Sequence, residues 1–376
     1  MRGAPILETE IAVIGGGLVG AALAYGLARE RCRVCVLDEG DVALRASRGN
    51  FALVWVQSKG LGMPEYARWT TASAALWPAL AAALKEDTGI DVGLSQPGGF
   101  TLALSEAELQ SRIEAMQRLH NQPAMPRYPY EILDHAETRR RLPAIGREVA
   151  GSIYCPLDGH VNSLRLFGAL HRGMARRGAV YRANAAVDTI APAAGGFAVK
   201  GGFGEVRAAR LMLAAGLGNG RLAPRLGLEA YLVPNKGQII VTEKVAPFLH
   251  HPLHTLRQTD EGGLMIGDSQ EERGFDTSVA TPVISVMAER AIRMFPLLAR
   301  LNVVRSWAAL RVMSQDGFPV YEQSKAFAGA FLATCHSGVT LAANHALTLA
   351  PALARGSLPA AASPFTSERF HVPQAA

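Results

Sequence analysis

The apolar positions fall into short blocks whose period changes along the chain. Glu10-Ile11-Ala12-Val13-Ile14 is a β-branched run that predicts a buried strand. A glycine cluster, Gly15-Gly16-Gly17-Leu18-Val19-Gly20, follows at once, and residues 21–31 are strong helix formers with few breakers. Arg33-Val34-Cys35-Val36-Leu37-Asp38 predicts a second strand that ends in an acid. Strand, glycine turn, helix and strand in that order predict a βαβ unit on a parallel sheet.

Helical period returns over residues 65–85, where Trp69, Leu76, Trp77, Leu80 and Leu84 offer an apolar face. Residues 98–104 predict a strand, 106–120 a charged amphipathic helix and 123–129 a breaker-rich loop. A helix is expected over 162–177, with Asn162 or Ser163 as N-cap. Residues 206–213 predict an apolar strand closed by Ala214-Ala215-Gly216, and 231–241 and 263–267 turn strand-like again. A strand at 328–333 and a helix over 339–354 end the pattern. Nucleotide-type α/β elements thus sit at both ends and in the middle, with β-rich segments between. That order predicts one discontinuous domain from residues 1–85, 146–225 and 305–376, and a second from 86–145 and 226–304.

Composition narrows the class. With 376 residues, 49% hydrophobic and 19% charged, the chain has material for large cores and does not match a disordered protein. Four cysteines, Cys32, Cys35, Cys155 and Cys335, match a reducing compartment. Cys32 and Cys35 form a C-x-x-C with no second pair or ligand histidine nearby, so they read as small buried residues and no metal site is expected. The net charge of +6 is scattered, with no basic run of the kind nucleic-acid binding uses. The apolar stretch 11–27 is cut by five glycines and preceded by Glu8 and Glu10, unlike a signal peptide or a membrane span. A cytoplasmic protein is expected, one that meets a membrane only through partners.

The chemistry starts at Gly15, Gly17 and Gly20, which fit G-x-G-x-x-G. The first permits a tight turn, the second a close backbone approach to a pyrophosphate, and the third close helix–strand packing. A pyrophosphate would lie at the helix N-terminus, and Asp38, 18 residues past Gly20, is placed for ribose hydroxyls. Ile14, Leu18, Val19 and Glu39 belong to the same expected dinucleotide site.

Further pieces resemble the D-amino-acid-oxidase-like family of FAD-dependent oxidoreductases, the glycine and sarcosine oxidase type. Ala46-Ser47-Arg48-Gly49-Asn50 resembles the loop that wraps the FAD pyrophosphate and ribityl chain. Leu157-Asp158-Gly159-His160-Val161-Asn162 resembles the family's D-G-x-V-D/N entry to a helix. Residues 185–190 resemble the strand whose valine, here Val187, meets adenine through its backbone. Leu213-Ala214-Ala215-Gly216, Pro234-Asn235-Lys236-Gly237-Gln238 and Trp307-Ala308-Ala309-Leu310-Arg311 with Asp316-Gly317-Phe318-Pro319 are similar to further family motifs. His336-Ser337-Gly338-Val339-Thr340 stands where the family's last glycine loop meets the flavin ring. The resemblance implies an α/β fold, α+β overall, with a Rossmann-like FAD-binding domain and an inserted mixed β-sheet substrate domain. It implies FAD as cofactor, held in part by Ala215, Gly216, Ser337, Gly338, Val339 and Thr340.

Within the family, residues 49–60 and 336–345 resemble the β subunits of hetero-oligomeric dehydrogenases for D-hydroxyproline and for opines such as octopine and nopaline. This implies oxidation of a carboxylate-bearing secondary amine to an imine by hydride transfer to the flavin. It also implies partner subunits with further redox centres. A stand-alone amino-acid oxidase making hydrogen peroxide, and a non-catalytic assembly subunit, are the alternatives.

Two catalytic candidates follow. Arg311 offers a planar donor fork for the substrate carboxylate. His336 precedes the Gly338-Val339 backbone that would face the flavin where negative charge grows. Lys59 and Lys236 read as solvated lysines, with a pocket role as the alternative, and His345 reads as structural. A period of two would set Trp55 and Gln57 on one face of a strand.

Overall fold

The computed structural model describes residues 6–40 and 46–371. Its main sheet has eight strands and is built around the predicted βαβ unit. Strand Leu7–Ile14 runs parallel to Val34–Leu37 on one side and to Gly204–Leu213 on the other. Ala330–Thr334 continues the sheet in parallel beyond Gly204–Leu213, and Val180–Arg182 extends it beyond Val34–Leu37. Ile14, Leu37 and Leu213 are in register, so the strands end together at one edge. Such a common carboxyl edge is where open α/β sheets bind ligands.

Both faces of this sheet are covered. Helices Leu18–Arg29, Pro64–Thr88 and Ser163–Arg176 pack on one face, around Val13, Leu23, Tyr25, Trp77 and Leu170. The other face closes over Ile14, Leu37, Val199, Leu213 and Leu226. Burial on both sides explains the unbroken apolar runs of the central strands.

A second layer of sheet stands beyond the carboxyl edge. Four antiparallel strands, in the order Leu256–Gln258, Gly263–Ile266, Leu232–Lys244 and Val303–Ser314, share a core with the three-stranded sheet of Gly99–Ala103, Gly151–Cys155 and Glu131–Asp134. By strand pairing, Gly151–Cys155 and Val303–Ser314 join this second layer, so boundaries at 146 and 305 cut across it. The reason is a long-range one: each strand pairs with a partner from the inserted segment. The layers meet where Trp307 Nε1 donates to the Gly49 carbonyl at 3.3 Å.

Most predicted elements form with small shifts of their ends. Helix Glu106–His120 is capped by the Ser105 hydroxyl, which accepts from the Glu108 amide, and Asn162 caps Ser163–Arg176 through the Arg165 amide. Pro64–Thr88 opens on a proline and stops at Gly89, whose φ of 75° only glycine adopts readily. The last helix departs from expectation: Ala342–Asn344 and Ala350–Ala354 are α-helical, but His345–Leu349 between them is π-helical. Pro351 offers no N–H to the preceding turn. The buried Asn344 side chain also donates to the Trp69 carbonyl, and His345 meets the Tyr321 hydroxyl at 2.7 Å. Among the described residues, no helix is long and apolar enough to cross a membrane.

Candidate active site

The glycine turn leaves Ile14 at the carboxyl edge and reverses at Gly15, whose φ is 104°. A Cβ at Gly15 would lie 2.5 Å from the Ala214 carbonyl oxygen, and one at Gly20 would lie 1.9 Å from the Gly15 carbonyl oxygen. Helix, turn and the end of strand Gly204–Leu213 are therefore in backbone contact. The Asp38 carboxylate, 5% exposed, accepts from the Gly16 amide at 2.7 Å and from the Gly40 amide at 3.1 Å. It props the glycine loop from the end of the second strand, and a carboxylate's several lone pairs make that role compatible with a hydroxyl ligand. Glu39 beside it is exposed. His171 supports the same loop from below, its Nε2 2.8 Å from the Gly16 carbonyl, which no motif in the sequence announces.

Other segments close around this turn. The Ser47 hydroxyl accepts from the Leu18 amide at 2.9 Å, and the Asn50 amide group donates to the Ser47 carbonyl at 2.7 Å. Arg48 lies over the Phe167 ring at 5.6 Å. Val187 is buried in the extended connection ahead of strand Thr189–Ala193, so it precedes the strand rather than lying in it. Its carbonyl accepts from Arg221, and Ala185 two residues earlier donates to the Asp38 carbonyl. The Ala215 amide donates to Asn219 Oδ1 at 2.9 Å, which shapes the turn at Gly216. A Cβ at Gly338 would lie 3.7 Å from Val19 Cγ2 and 3.8 Å from Leu18 Cβ, so the last glycine loop stands beside the start of the first helix.

Several polar groups here have no protein partner. Among the described residues, the amide N–H groups of Gly17, Gly338, Val339 and Thr340 make no hydrogen bond, and neither does the buried Asn50 Oδ1. Consecutive unclaimed N–H groups make a site for an anion or a carbonyl-type acceptor. A cofactor with a pyrophosphate at one end and an acceptor-rich ring at the other fits this cradle.

A second set of side chains faces it from the far layer. Arg311 projects from strand Val303–Ser314, opposite Asn235 in register. Its Nη1 donates to Asn235 Oδ1 at 2.9 Å, to the Ser269 carbonyl at 2.8 Å and to the Lys236 carbonyl at 3.3 Å. The guanidinium lies across Gly237, where a Cβ would sit 2.6 Å from Nη1. Nε and Nη2 have no acceptor among the described residues and are not sealed from the cleft. Burial pulls the arginine down from its ordinary value while Asp268 and Glu271 oppose that pull, and an arginine stays charged through such a shift.

His336, Lys59, His254 and Asp268 lie within charge–charge reach of Arg311. Lys59 and His336 keep accessible surface although protein surrounds both deeply enough for burial to dominate their protonation. Together these facts describe the wall of an internal cleft. Burial, then the Lys59 and Arg311 cations, hold His336 well below the usual histidine range, so its ring is neutral. Its Nδ1 is 3.2 Å from the Ser337 hydroxyl, which meets the buried Tyr66 hydroxyl at 2.8 Å. His254 is likewise pulled down by burial, with Asp268 3.4 Å from its Nδ1 opposing.

Two readings of the lysines change. Lys236 is 1% exposed, with Nζ 2.7 Å from Asp276 and 3.8 Å from Glu271, so it is a buried ion-pair residue and not a solvated one. The pair pins the segment that carries Ser269 against the Arg311 strand. Lys59 is half-buried in the cleft. Trp55 and Gln57 are both buried, but only Leu53–Val54 is strand, so a period of two does not govern them. The Trp55 ring stands 5.8 Å from His254, whereas Gln57 turns to Asp158 and Thr101.

Asp158 ties this stretch down. Its carboxylate accepts from the Val56 and Gln57 amides and from Gln57 Nε2 at 2.6 Å. Burial pushes it up to about 7, against the pull of those donors and of Lys59. A carboxyl raised in the fold favours folding most at acidic pH, and that contribution fades as pH rises from about 4 to about 7. Relative to Asp158→Asn, the wild type should therefore lose stability over that window and then level, which a comparison of the two proteins' denaturation midpoints against pH reads directly. Asp158→Ala strands three donors and should cost about 3–5 kcal/mol in chemical denaturation.

Known proteins match the chain along its whole length. A family profile described as "FAD dependent oxidoreductase" (DAO) matches residues 10–355. The chain is 52% identical to an opine oxidase subunit of Agrobacterium tumefaciens (strain Ach5), over 98% of this chain and 99% of that protein. It is 50% identical to the protein of the same name from Rhizobium meliloti, with the same coverage. Among solved structures, glycine oxidase from Geobacillus kaustophilus superposes with a TM-score of 0.86 at 27% identity, covering 96% of this chain and 98% of that one.

Proposed function

The chain belongs to the DAO family of FAD-dependent oxidoreductases, and from that premise we propose that it oxidises a carboxylate-bearing secondary amine to an imine as the catalytic subunit of a hetero-oligomer. The observation that carries this reading is Arg311, a guanidinium with one nitrogen fixed by three oxygens and two nitrogens unclaimed in a buried cleft. That is a receptor for a carboxylate. The names of the relatives favour an opine over D-hydroxyproline.

Residues 14–20, Asp38, Ser47–Asn50, Val187, Ala215, Gly216 and Ser337–Thr340 would hold FAD. When bound, FAD supplies the two-electron acceptor for the hydride that leaves the substrate carbon. The protein's part is position and charge. The Arg311 fork grips the carboxylate and so fixes the carbon beside it. The substrate nitrogen must be neutral to drive hydride departure, so its ammonium has to lose a proton first. His336, neutral and with Nδ1 turned to Ser337, keeps Nε2 for that proton. Unclaimed N–H groups at Gly338, Val339 and Thr340 would offset the negative charge that follows reduction.

Anaerobic addition of octopine to the purified yellow protein tests this directly. Bleaching of the flavin without added NAD is expected, and an unchanged spectrum with octopine, nopaline and D-hydroxyproline alike overturns the proposal. A stand-alone oxidase is the second reading, favoured by the likeness to glycine oxidase. With electrons passing to partner subunits, turnover with artificial dyes should exceed hydrogen peroxide production by at least about tenfold, and stoichiometric peroxide from the chain alone would select the oxidase.

A further inference from the structure

Lys59 is a cation of the cleft that the proposed reaction does not use. It follows a rigid turn: its amide donates to the Val56 carbonyl at 3.2 Å, and Val56 and Gln57 are clamped by the buried Asp158 carboxylate. Ser58 and Gly60 on either side have φ of 66° and 98°, so the backbone is fixed in an uncommon conformation. The side chain is thereby presented from a defined place. Its ammonium makes no hydrogen bond or ion pair with any described residue and is not sealed from the cleft.

The acids nearby are committed elsewhere. Asp158 is taken by Val56 and Gln57, Asp268 stands against His254, and Glu271 accepts from Gln238 and Ser269 and lies 3.8 Å from Lys236. His254 and His336 are both held toward the neutral form. Among the described residues the cleft thus brings together two cationic side chains with unclaimed donors, Arg311 on strand Val303–Ser314 and Lys59 on the turn that Asp158 clamps. A ligand with one carboxylate would leave the second cation desolvated and unpaired, which disfavours it.

We propose that Lys59 binds a second carboxylate of the substrate, so that the site selects secondary amines flanked by two carboxylates over those carrying one. The inference rests on the reading that Arg311 holds the first carboxylate. It makes the substrate a secondary amine with one carboxylate on each carbon attached to nitrogen. Burial lowers Lys59 while Asp158 and Asp268 oppose, which is the electrostatic state a bound anion would relieve.

Octopine has two monocarboxylate analogues, N2-ethylarginine and N-(1-carboxyethyl)agmatine, and the one that keeps the carboxylate beside the carbon oxidised in octopine, identified from the products, lacks only the second carboxylate. For the FAD-loaded protein, assembled with its partner subunits, kcat/KM should favour octopine over that analogue by roughly 10- to 100-fold, the range of one charge-assisted hydrogen bond. In Lys59→Gln that ratio should collapse toward one, and in Lys59→Arg most of it should return. Ligand-induced thermal shifts should follow the same order without turnover, and the FAD content of each variant shows that it is folded. A wild-type ratio near one, or a ratio that survives Lys59→Gln, overturns the inference while octopine oxidation, and with it the proposed function, stands. If neither compound reduces the flavin or shifts the melting temperature, the inference falls, and the proposed function falls with it only if nopaline and D-hydroxyproline also leave the flavin unchanged.

Discussion

Arg311→Ala is expected to raise KM for carboxylate-bearing amines roughly 100-fold or more while the protein remains yellow, since truncating one partner of a buried charge pair costs about 2–5 kcal/mol. The size of the effect comes from how the guanidinium is held. Three oxygens fix Nη1, and the bare Gly237 lets the plane lie flat against the neighbouring strand. Its remaining donors therefore need no reorganisation to meet a planar anion. Arg311→Lys should recover little, because a lysine offers a point charge in place of a fork and cannot reach all three anchoring oxygens. Alanine also leaves Asn235 Oδ1 and the Ser269 carbonyl without a donor, so a modest loss of thermal stability should accompany the kinetic defect. FAD content separates the two effects: it should stay near one per chain. A variant with wild-type KM for every amine tested would remove Arg311 from the site.

What the sequence made legible was local. The βαβ unit announced itself because strand, glycine turn and helix each carry their own period, and the family resemblance followed from motifs that are contiguous in the chain. The same holds for the helix at Glu106–His120, whose Ser105 cap and apolar stripe sit within one segment. Features made by distant residues were hidden. Lys236 looks like any surface lysine until Asp276, 40 residues on, is folded against it. His254 and Asp268 belong to no motif and become a pair only through the antiparallel turn of Leu256–Gln258 on Gly263–Ile266. His171 supports the glycine loop across 155 residues of sequence. Lys59 was visible as a residue, but its lack of a partner is a property of its surroundings, and no pattern of neighbours along the chain encodes it. The pairing of Gly151–Cys155 with Gly99–Ala103 and of Val303–Ser314 with Leu232–Lys244 was hidden for the same reason, since strand partners are chosen in space.

Gly20→Ala should abolish stable FAD binding, weakening it by roughly 100-fold or more on the scale of a backbone clash at a pyrophosphate site. The reason is a distance: an added Cβ would sit 1.9 Å from the Gly15 carbonyl oxygen and 3.3 Å from the Ala214 methyl. Neither obstacle is the mobile end of a long side chain. Gly15 is itself fixed by φ of 104° and by the Leu37 carbonyl, which accepts from its amide at 2.8 Å. Relief therefore requires the helix Leu18–Arg29 to move off the strand end, and that carries the Gly17 N–H and the Ser47–Leu18 bond away from where a pyrophosphate would lie. Helix propensity alone would predict the opposite, because alanine stabilises a helix interior over glycine by about 1 kcal/mol. Gly168→Ala supplies that contrast: it lies inside Ser163–Arg176 with nothing within 4 Å of its would-be Cβ, and it should raise the melting temperature with full flavin content. Measuring the ratio of FAD to protein after gel filtration decides between the two outcomes. Gly20→Ala retaining flavin as Gly168→Ala does would show that the helix and the glycine turn are not in the backbone contact on which the whole cofactor site depends.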